Sequence, residues 1–459
     1  MTGLDEHPPA PEADAISVAD LVRDVAIALH DGDSATAANL VIGLHPRDLA
    51  DVIELLSPEH RVALIHALGP AFNYDVLSEI DEAVRDQLSE ALPNELLAKA
   101  VTELDTDDAA YLIENLEEED REEILAQLPK GERAALERQL EYPEDSAGRL
   151  MQSDFVAVAP YWTVGQVIEH ARETDDLPET FSEIFVVDPA FRVVGSVDLS
   201  RLLRTKKDVP VSDIMEADLD TVLATADQEE VARQFERYNL ISAPVIDEHG
   251  KLVGVITVDD VVEVIQDEAD EDMRALGGVG DESIGDSVVQ TAKSRVPWLI
   301  VNLGTAVLAS FVIKIFDATI EQMVALAVLM PVVASIGGNA GTQTMTVTVR
   351  ALATNKLGAA NAPRIISRET MVGLLNGLVL SAIMALIVFL WFGSSRLGAV
   401  IGTAMIVNLL AAALAGILIQ LALDRLKLDP APASGVFVSM ITDCVGFFAF
   451  LGLASLILF

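Results

Sequence analysis

From residue 291 to residue 459 the chain carries six acids and ten bases, and almost everything between them is apolar. No soluble domain is built that way; apolar runs of 18 residues or more read as membrane-spanning helices. Five spans are predicted, at 296–316, 322–349, 371–392, 398–423 and 435–459. The 290 residues before them are the opposite, with 66 acids against 20 bases and a net charge of −46. That length has room for two or three soluble domains at roughly 100–200 residues each. Loop charges orient the spans. Arg350, Lys356, Arg364 and Arg368 lie between the second and third, Arg425 and Lys427 between the fourth and fifth, and Lys293 and Arg295 just ahead of the first, whereas the opposite side shows Asp317, Glu321 and Arg396. Basic residues favour the cytoplasmic side, so the acidic half is expected in the cytoplasm of a cell-membrane protein and the C-terminus outside. Residues 1–17 are acidic and Pro-rich, with neither a basic n-region nor an apolar h-region, and read as a disordered leader and not a signal peptide. The single cysteine, Cys444, excludes an intrachain disulfide and a Cys-rich zinc site.

A few residues are out of place inside the spans. The second carries Pro331 and then GGNAGTQT (337–344), a helix-weakening stretch whose Asn339 and Gln343 offer neutral oxygens suited to a hydrated cation. Freed backbone at membrane depth is tolerated only where it is buried in protein or lines a wet cavity. The competing reading for the glycines is tight helix packing. Asp443 is the sharper signal, a carboxylate well inside the last span with no Arg or Lys at its depth. Burying such a group costs roughly 2.5–3.5 kcal/mol on insertion scales, so it usually faces an ion path or a partner.

The soluble half holds two kinds of repeat. Residues 44–70 and 104–130 align without gaps, through Asp48/Asp108, Ile53/Ile113, Glu54/Glu114, Arg61/Arg121 and Leu68/Leu128. Their helical periodicity predicts an all-α superhelical domain, a solenoid, over 18–140. Then 185–203 and 244–265 each read as strand, turn, strand, helix, aligned through Asp188/Asp247 and Gly195/Gly254. This pair resembles a tandem of cystathionine-β-synthase (CBS) domains, an α/β module over 141–265. The resemblance implies an adenine nucleotide at GVITVDD (254–260), with Thr257 facing phosphate and Asp260 facing ribose; Asp198 and Arg201 at the matching positions of the first copy make a poor pocket. An acidic connector, 266–292, opens with five acids in six residues (267–272) and leads to the pore domain, 293–459.

This order of parts resembles the MgtE family of magnesium channels over essentially the whole chain. The marks are GGNAGTQT (337–344), RALAT (350–354), DPAPASG (429–435) and TDCVGFF (442–448). The resemblance implies a magnesium-selective channel for Mg2+ uptake, a homodimer in the lipid bilayer with hydrated Mg2+ held on the dimer axis by Asp443 beside Asn339. It also implies a connector that acts as a plug helix, and closure by cytosolic Mg2+ at Asp260, Glu268, Glu271, Asp272, Asp107, Asp227 and Glu229. Two positions depart from the pattern: Gly435 replaces an amide seen in some members, and Tyr111 stands where an acid four residues after Asp107 is expected. An ion- or proton-coupled divalent-cation transporter and a non-transporting membrane sensor are the alternatives. The seven histidines are scattered and no Ser/His/Asp or Cys/His constellation is present, which argues against an enzyme; no nucleic-acid partner is expected.

Overall fold

The computed structural model describes residues 17–459 apart from 175, 176, 179, 280–287, 355, 359, 428 and 429, and the side chains of 430–434 are also outside the description. Residues 1–16 of the predicted leader, 280–287 of the connector and 429 of the 429–435 run therefore lie outside the described residues. Two compact units, Met1–Asp267 and Glu268–Phe459, make up the chain.

The described residues of the first unit open with the helices α1 (Val18–His30), α2 (Ser34–Val41), α3 (Pro46–Leu55), α4 (Pro58–Leu68), α5 (Glu82–Ala91), α6 (Asn94–Glu103), α7 (Thr106–Ile113), α8 (Glu118–Gln127) and α9 (Lys130–Leu140). The sequence repeat is a structural one, because α3 and α4 correspond to α7 and α8. Its shared arginine has a physical reason. The last carbonyls of a helix lack intrahelical donors; Arg61 donates to the carbonyls of Ile53 and Glu54 at the end of α3, at 3.1 and 2.8 Å, and Arg121 reaches Glu114 O at the end of α7 at 3.4 Å. Leu49, Ile53, Leu64 and Ile65 of the first copy and Ile113, Ile124 and Leu125 of the second lie in one continuous apolar core.

After α10 (Ala147–Leu150), two similar α/β motifs follow. The first has β1 (Ala157–Val158), α11 (Val164–Glu173), β2 (Glu183–Val187), β3 (Val193–Asp198) and α12 (Leu199–Arg204). The second has β4 (Val222–Leu223), α13 (Gln228–Tyr238), β5 (Ser242–Ile246), β6 (Leu252–Thr257) and α14 (Val258–Leu276). In each three-stranded sheet the middle strand pairs parallel to the first and antiparallel to the last. Phe185, Val187, Leu252 and Val255 join the two motifs in one cluster. The glycine common to both copies is explained by close approach: a Cβ on Gly195 would lie 2.8 Å from Glu216 O, and one on Gly254 2.8 Å from Gln152 O.

Among its described residues the second unit holds five helices long and apolar enough to cross a membrane: α15 (Val288–Ile315), α17 (Ala325–Ala353), α18 (Ala362–Phe392), α19 (Ser395–Arg425) and α20 (Pro430–Ile457), with the short α16 (Asp317–Gln322) between the first two. Five spans were expected, and the helices mostly extend beyond them because charged ends do not register as apolar. Two expectations change. The GGNAGTQT stretch does not weaken its helix, since α17 runs unbroken through it. In lipid the backbone must satisfy its own polar groups, and Gly337 and Gly341 serve packing, whereas a Cβ on Gly338 would meet nothing within 4 Å. A Cβ on Gly416 of α19 would lie 2.9 Å from Gly341 O and 3.0 Å from Met345 N, so α17 and α19 meet backbone to backbone. The connector, in turn, does not begin at 266 as a separate helix; α14 carries it unbroken from the second α/β motif to Leu276.

Gly416→Val is expected to cost about 1–3 kcal/mol or more by overpacking and to reduce monodisperse detergent-solubilised protein on size-exclusion chromatography. Gly304→Val, where an added Cβ meets nothing within 4 Å, is expected to leave the profile unchanged.

Candidate cation sites

In the first unit the start of α7 and the start of α14 bring carboxylates together. Asp107 is buried, and its Oδ1 has no hydrogen-bond partner among the described residues. Burial first, then the charges of Asp260, Asp108 and Asp105, push its carboxyl well above the ordinary range. Burial again leads for the others: with Asp260, Asp105 and Glu263 it raises Asp108 to about 7, with Asp259 and Asp105 it raises Asp260 to about 6 against the Thr257 hydrogen bond, and with Glu79, Asp260 and Asp267 it raises Glu263 to about 7. Asp260 accepts from Thr257 Oγ1 at 2.7 Å and from Gln152 Nε2 at 3.3 Å, so the two residues expected to hold a nucleotide are bonded to each other. Arg47 pairs with Glu79 at 3.1 Å and offsets only part of the charge around Glu263.

Oxygen is the only donor in this cluster, which suits a hard cation such as Mg2+. Among the described residues no group of three or more His, Cys, Asp or Glu closes around a point where an ion could sit bare. Binding through retained water is what Mg2+ favours. Glu268, Glu271 and Asp272 follow Asp260 on α14, and helical spacing puts all four within an arc of about 120°. Asp227 and Glu229 lie at the start of α13. Asp227 is the N-cap of α13, accepting from Glu229 N at 2.9 Å, and Glu229 pairs with Arg233 at 2.7 Å. Tyr111, the departure from the family pattern, packs under the Arg85 guanidinium, 3.1 Å from ring centroid to Cζ.

In the second unit Asp443 lies midway along α20, half-buried, and no Lys, Arg or His pairs with it among the described residues. Its depth relative to α17 follows from packing. Gly337 of α17 and Gly446 of α20 both abut the Asn408 side chain of α19, and Gly341 abuts Val438 and Thr442. The two helices therefore run antiparallel, with 337 level with 446 and 341 level with 442, which puts Asn339 and Asp443 at one level. Asn339 is exposed on its helix, whereas Gly337 and Gly341 are buried. Thr342 and Thr346 bond back to Gly338 O and Thr342 O, both at 3.0 Å, so the hydroxyls are satisfied locally, whereas the Asn339 side-chain amide has no partner among the described residues. Sequence reasoning missed Asn408, fully buried, whose Nδ2 donates to Val333 O at 2.9 Å. It also missed Glu369, which α18 includes because the helix starts nine residues before the predicted span.

The acid cluster has a pH signature. Asp108, Asp260 and Glu263 bind protons more tightly folded than unfolded, so their contribution falls as pH rises from the ordinary carboxylate range near 4 through about 7. Without divalent cations, the melting temperature of the soluble unit within the full chain is expected to drop between pH 5 and pH 8. Asp107→Asn, which removes the buried charge, should raise the melting temperature at pH 8 more than at pH 5. A flat profile by differential scanning fluorimetry would exclude a strained acidic cluster.

Comparison with known proteins agrees with this layout. Residues 330–453 match the family model described as a divalent cation transporter. Residues 44–145 match the MgtE intracellular N domain, and 147–208 and 211–267 match CBS domains. The magnesium transporter MgtE of Thermus thermophilus is 34% identical over 440 residues, 94% of this chain and 97% of that protein. The magnesium transporter MgtE of Bacillus subtilis is 29% identical over 437 residues, 95% and 97% of the two chains. Among solved structures, the cytosolic domain of the Mg2+ channel MgtE in complex with ATP is 32% identical, covers 53% of this chain and 99% of its own, and superposes with a TM-score of 0.49. With its acidic helical repeat, paired α/β motifs and five apolar helices in that order, the chain belongs to the MgtE family.

Proposed function

We propose that this protein is a magnesium-selective channel for Mg2+ uptake, a homodimer closed by cytosolic Mg2+. The observation that carries the reading is Asp443, an unpaired carboxylate midway along a membrane helix at the level of Asn339. The relatives' names supply the ion. Mg2+ sheds water reluctantly, so one carboxylate and neutral amide oxygens per chain suit a mostly hydrated ion. A twofold dimer would set two copies of each about one axis. The loop charges support a cytoplasmic location for the soluble domains and, with five spans, a C-terminus outside.

Closure is proposed to act through the carboxylates of the soluble half. Asp107, Asp108, Asp260 and Glu263 oppose one another when packed, and positive charge among them, with Glu268, Glu271 and Asp272 farther along α14, favours the compact state. An ion shifts such an equilibrium only by its differential affinity for the two states. Support for an adenine nucleotide comes from the GVITVDD stretch. Its entry at Thr257 and Asp260 would break their mutual bond and so alter the charge facing Asp107.

Purified protein in liposomes tests the channel reading. Asp443→Ala is expected to cut Mg2+ flux by at least about tenfold, equivalent to about 1.4 kcal/mol at 25 °C, while the protein remains folded; undiminished flux would remove Asp443 from the path. Wild-type flux that depends on an imposed proton gradient would favour the coupled transporter.

Gating is tested by neutralising Glu268, Glu271 and Asp272 together. Conduction is expected to persist at cytosolic magnesium levels that shut the wild type. Neutralisation also relieves repulsion, which alone favours closure, so easier or unchanged closure would reduce the acidic run to a charged spacer.

A further inference from the structure

A groove beside the Asp443 level has the makings of a second ion station. A cavity of about 160 Å3 opens between α17, α18 and α19, and its polar lining is Gln343 and Thr344 from α17 and Glu369 and Asn376 from α18. Gly373 makes room for it, since α18 lies against Ala413 and Leu409 O of α19 at that glycine. The Glu369 side chain is only 13% exposed, whereas its neighbour Arg368 is 72% exposed, and their charged atoms stand 3.8 Å apart. The carboxylate is turned inward and the cation outward, and so exposed a pairing adds little. Two amides and a carboxylate around one membrane groove are stable only where water or a polar partner reaches them.

Size and donors narrow the occupant. At roughly 30 Å3 per water the cavity holds about five waters, the scale of a divalent cation that keeps most of its hydration shell. Its polar lining supplies oxygen from one carboxylate, two amides and a hydroxyl. Gln343 and Val347 follow Asn339 by four and eight residues, so the cavity lies about 6–12 Å along α17 from the level of Asp443, toward the 354–361 loop.

We propose that Glu369, Gln343, Thr344 and Asn376 form a second station for a partly hydrated divalent cation, one to two helical turns from Asp443. This rests on the reading of the membrane unit as a cation path and adds a site to it. Two stations within that distance let an arriving ion lower the affinity of the one ahead, the condition for binding that is both selective and quick to release.

The test uses the full chain in nanodiscs of phosphatidylcholine and phosphatidylglycerol, with Val347→Cys as reporter on a Cys444→Ala background. Val347 lines the cavity and is 59% exposed. Modification by an uncharged methanethiosulfonate is timed in Mg2+ and in K+ at equal ionic strength. Mg2+ is expected to slow it about tenfold once roughly ten times above its dissociation constant; Glu369→Gln should abolish that protection and Glu369→Asp retain part of it. If Glu369→Gln fails to fold, Asn376→Leu is expected to weaken the protection instead. Equal protection in folded Glu369→Gln, absence of protection, a cysteine that does not react, or Mg2+-independent protection by added phosphatidylethanolamine would each overturn the station. Flux without protection would sink the station and leave the channel standing. Protection lost in Glu369→Gln, in a protein that carries no flux, would keep the site and sink the channel.

Discussion

Carboxylates withdrawn from water with little or no compensating protein charge among the described residues constrain both units. Two like charges 4 Å apart repel by about 4 kcal/mol at an effective dielectric of 20, and burial adds to that. A protein usually answers with Arg or Lys, but here several bases are committed elsewhere. Arg61 and Arg121 close the ends of α3 and α7, and Arg85 lies on Tyr111. What is left around Asp107 and Asp260 is acid against acid, with Asp108 and Glu263 raised to about 7. Such an arrangement ties the packing of the soluble half to protons and to cations from solution, and that tie is the physical basis of the proposed regulation.

Much of the fold was legible because periodicity and charge are strong signals. The 60-residue repeat identified the helical domain, and the structure adds the reason Arg61 and Arg121 coincide. The 59-residue repeat identified the α/β pair, with Gly195 and Gly254 fixed by a neighbouring carbonyl. Five spans were read from apolar runs, yet their ends were not, since Arg364, Arg368 and Glu369 belong to α18 while looking like loop. The glycine-rich stretch of α17 was read as helix-weakening because propensity in water penalises glycine. In lipid an unbonded backbone group is worse, and propensity loses.

The candidate sites were legible to differing degrees. Asp443 stood out by its surroundings alone, but its alignment with Asn339 needed the contacts of Gly337, Gly341 and Gly446. Asp107 and Asp260 are 153 positions apart, and only the fold brings their charges within reach of each other. Asp227 and Glu229 show the reverse. A carboxylate at the start of a helix reads equally well as ligand or cap, and here Asp227 caps α13 while Glu229 pairs with Arg233.

Asn408 connects packing with conduction. Its side chain fills the space left by Gly337 and Gly446 and donates to Val333 O, so one amide sets the relative height of α17 and α20. The small residues of both helices are thereby used on the side facing α19, where close approach is required. Asn339, three quarters of a turn or less from the buried glycines, is left on the uncovered side of α17. In lipid an uncovered amide level with a carboxylate is disfavoured. A second copy set against that edge would turn the same residues inward around water, so the dimer proposed here follows from how tightly the first copy packs, and the ion's path from the residues that packing leaves out.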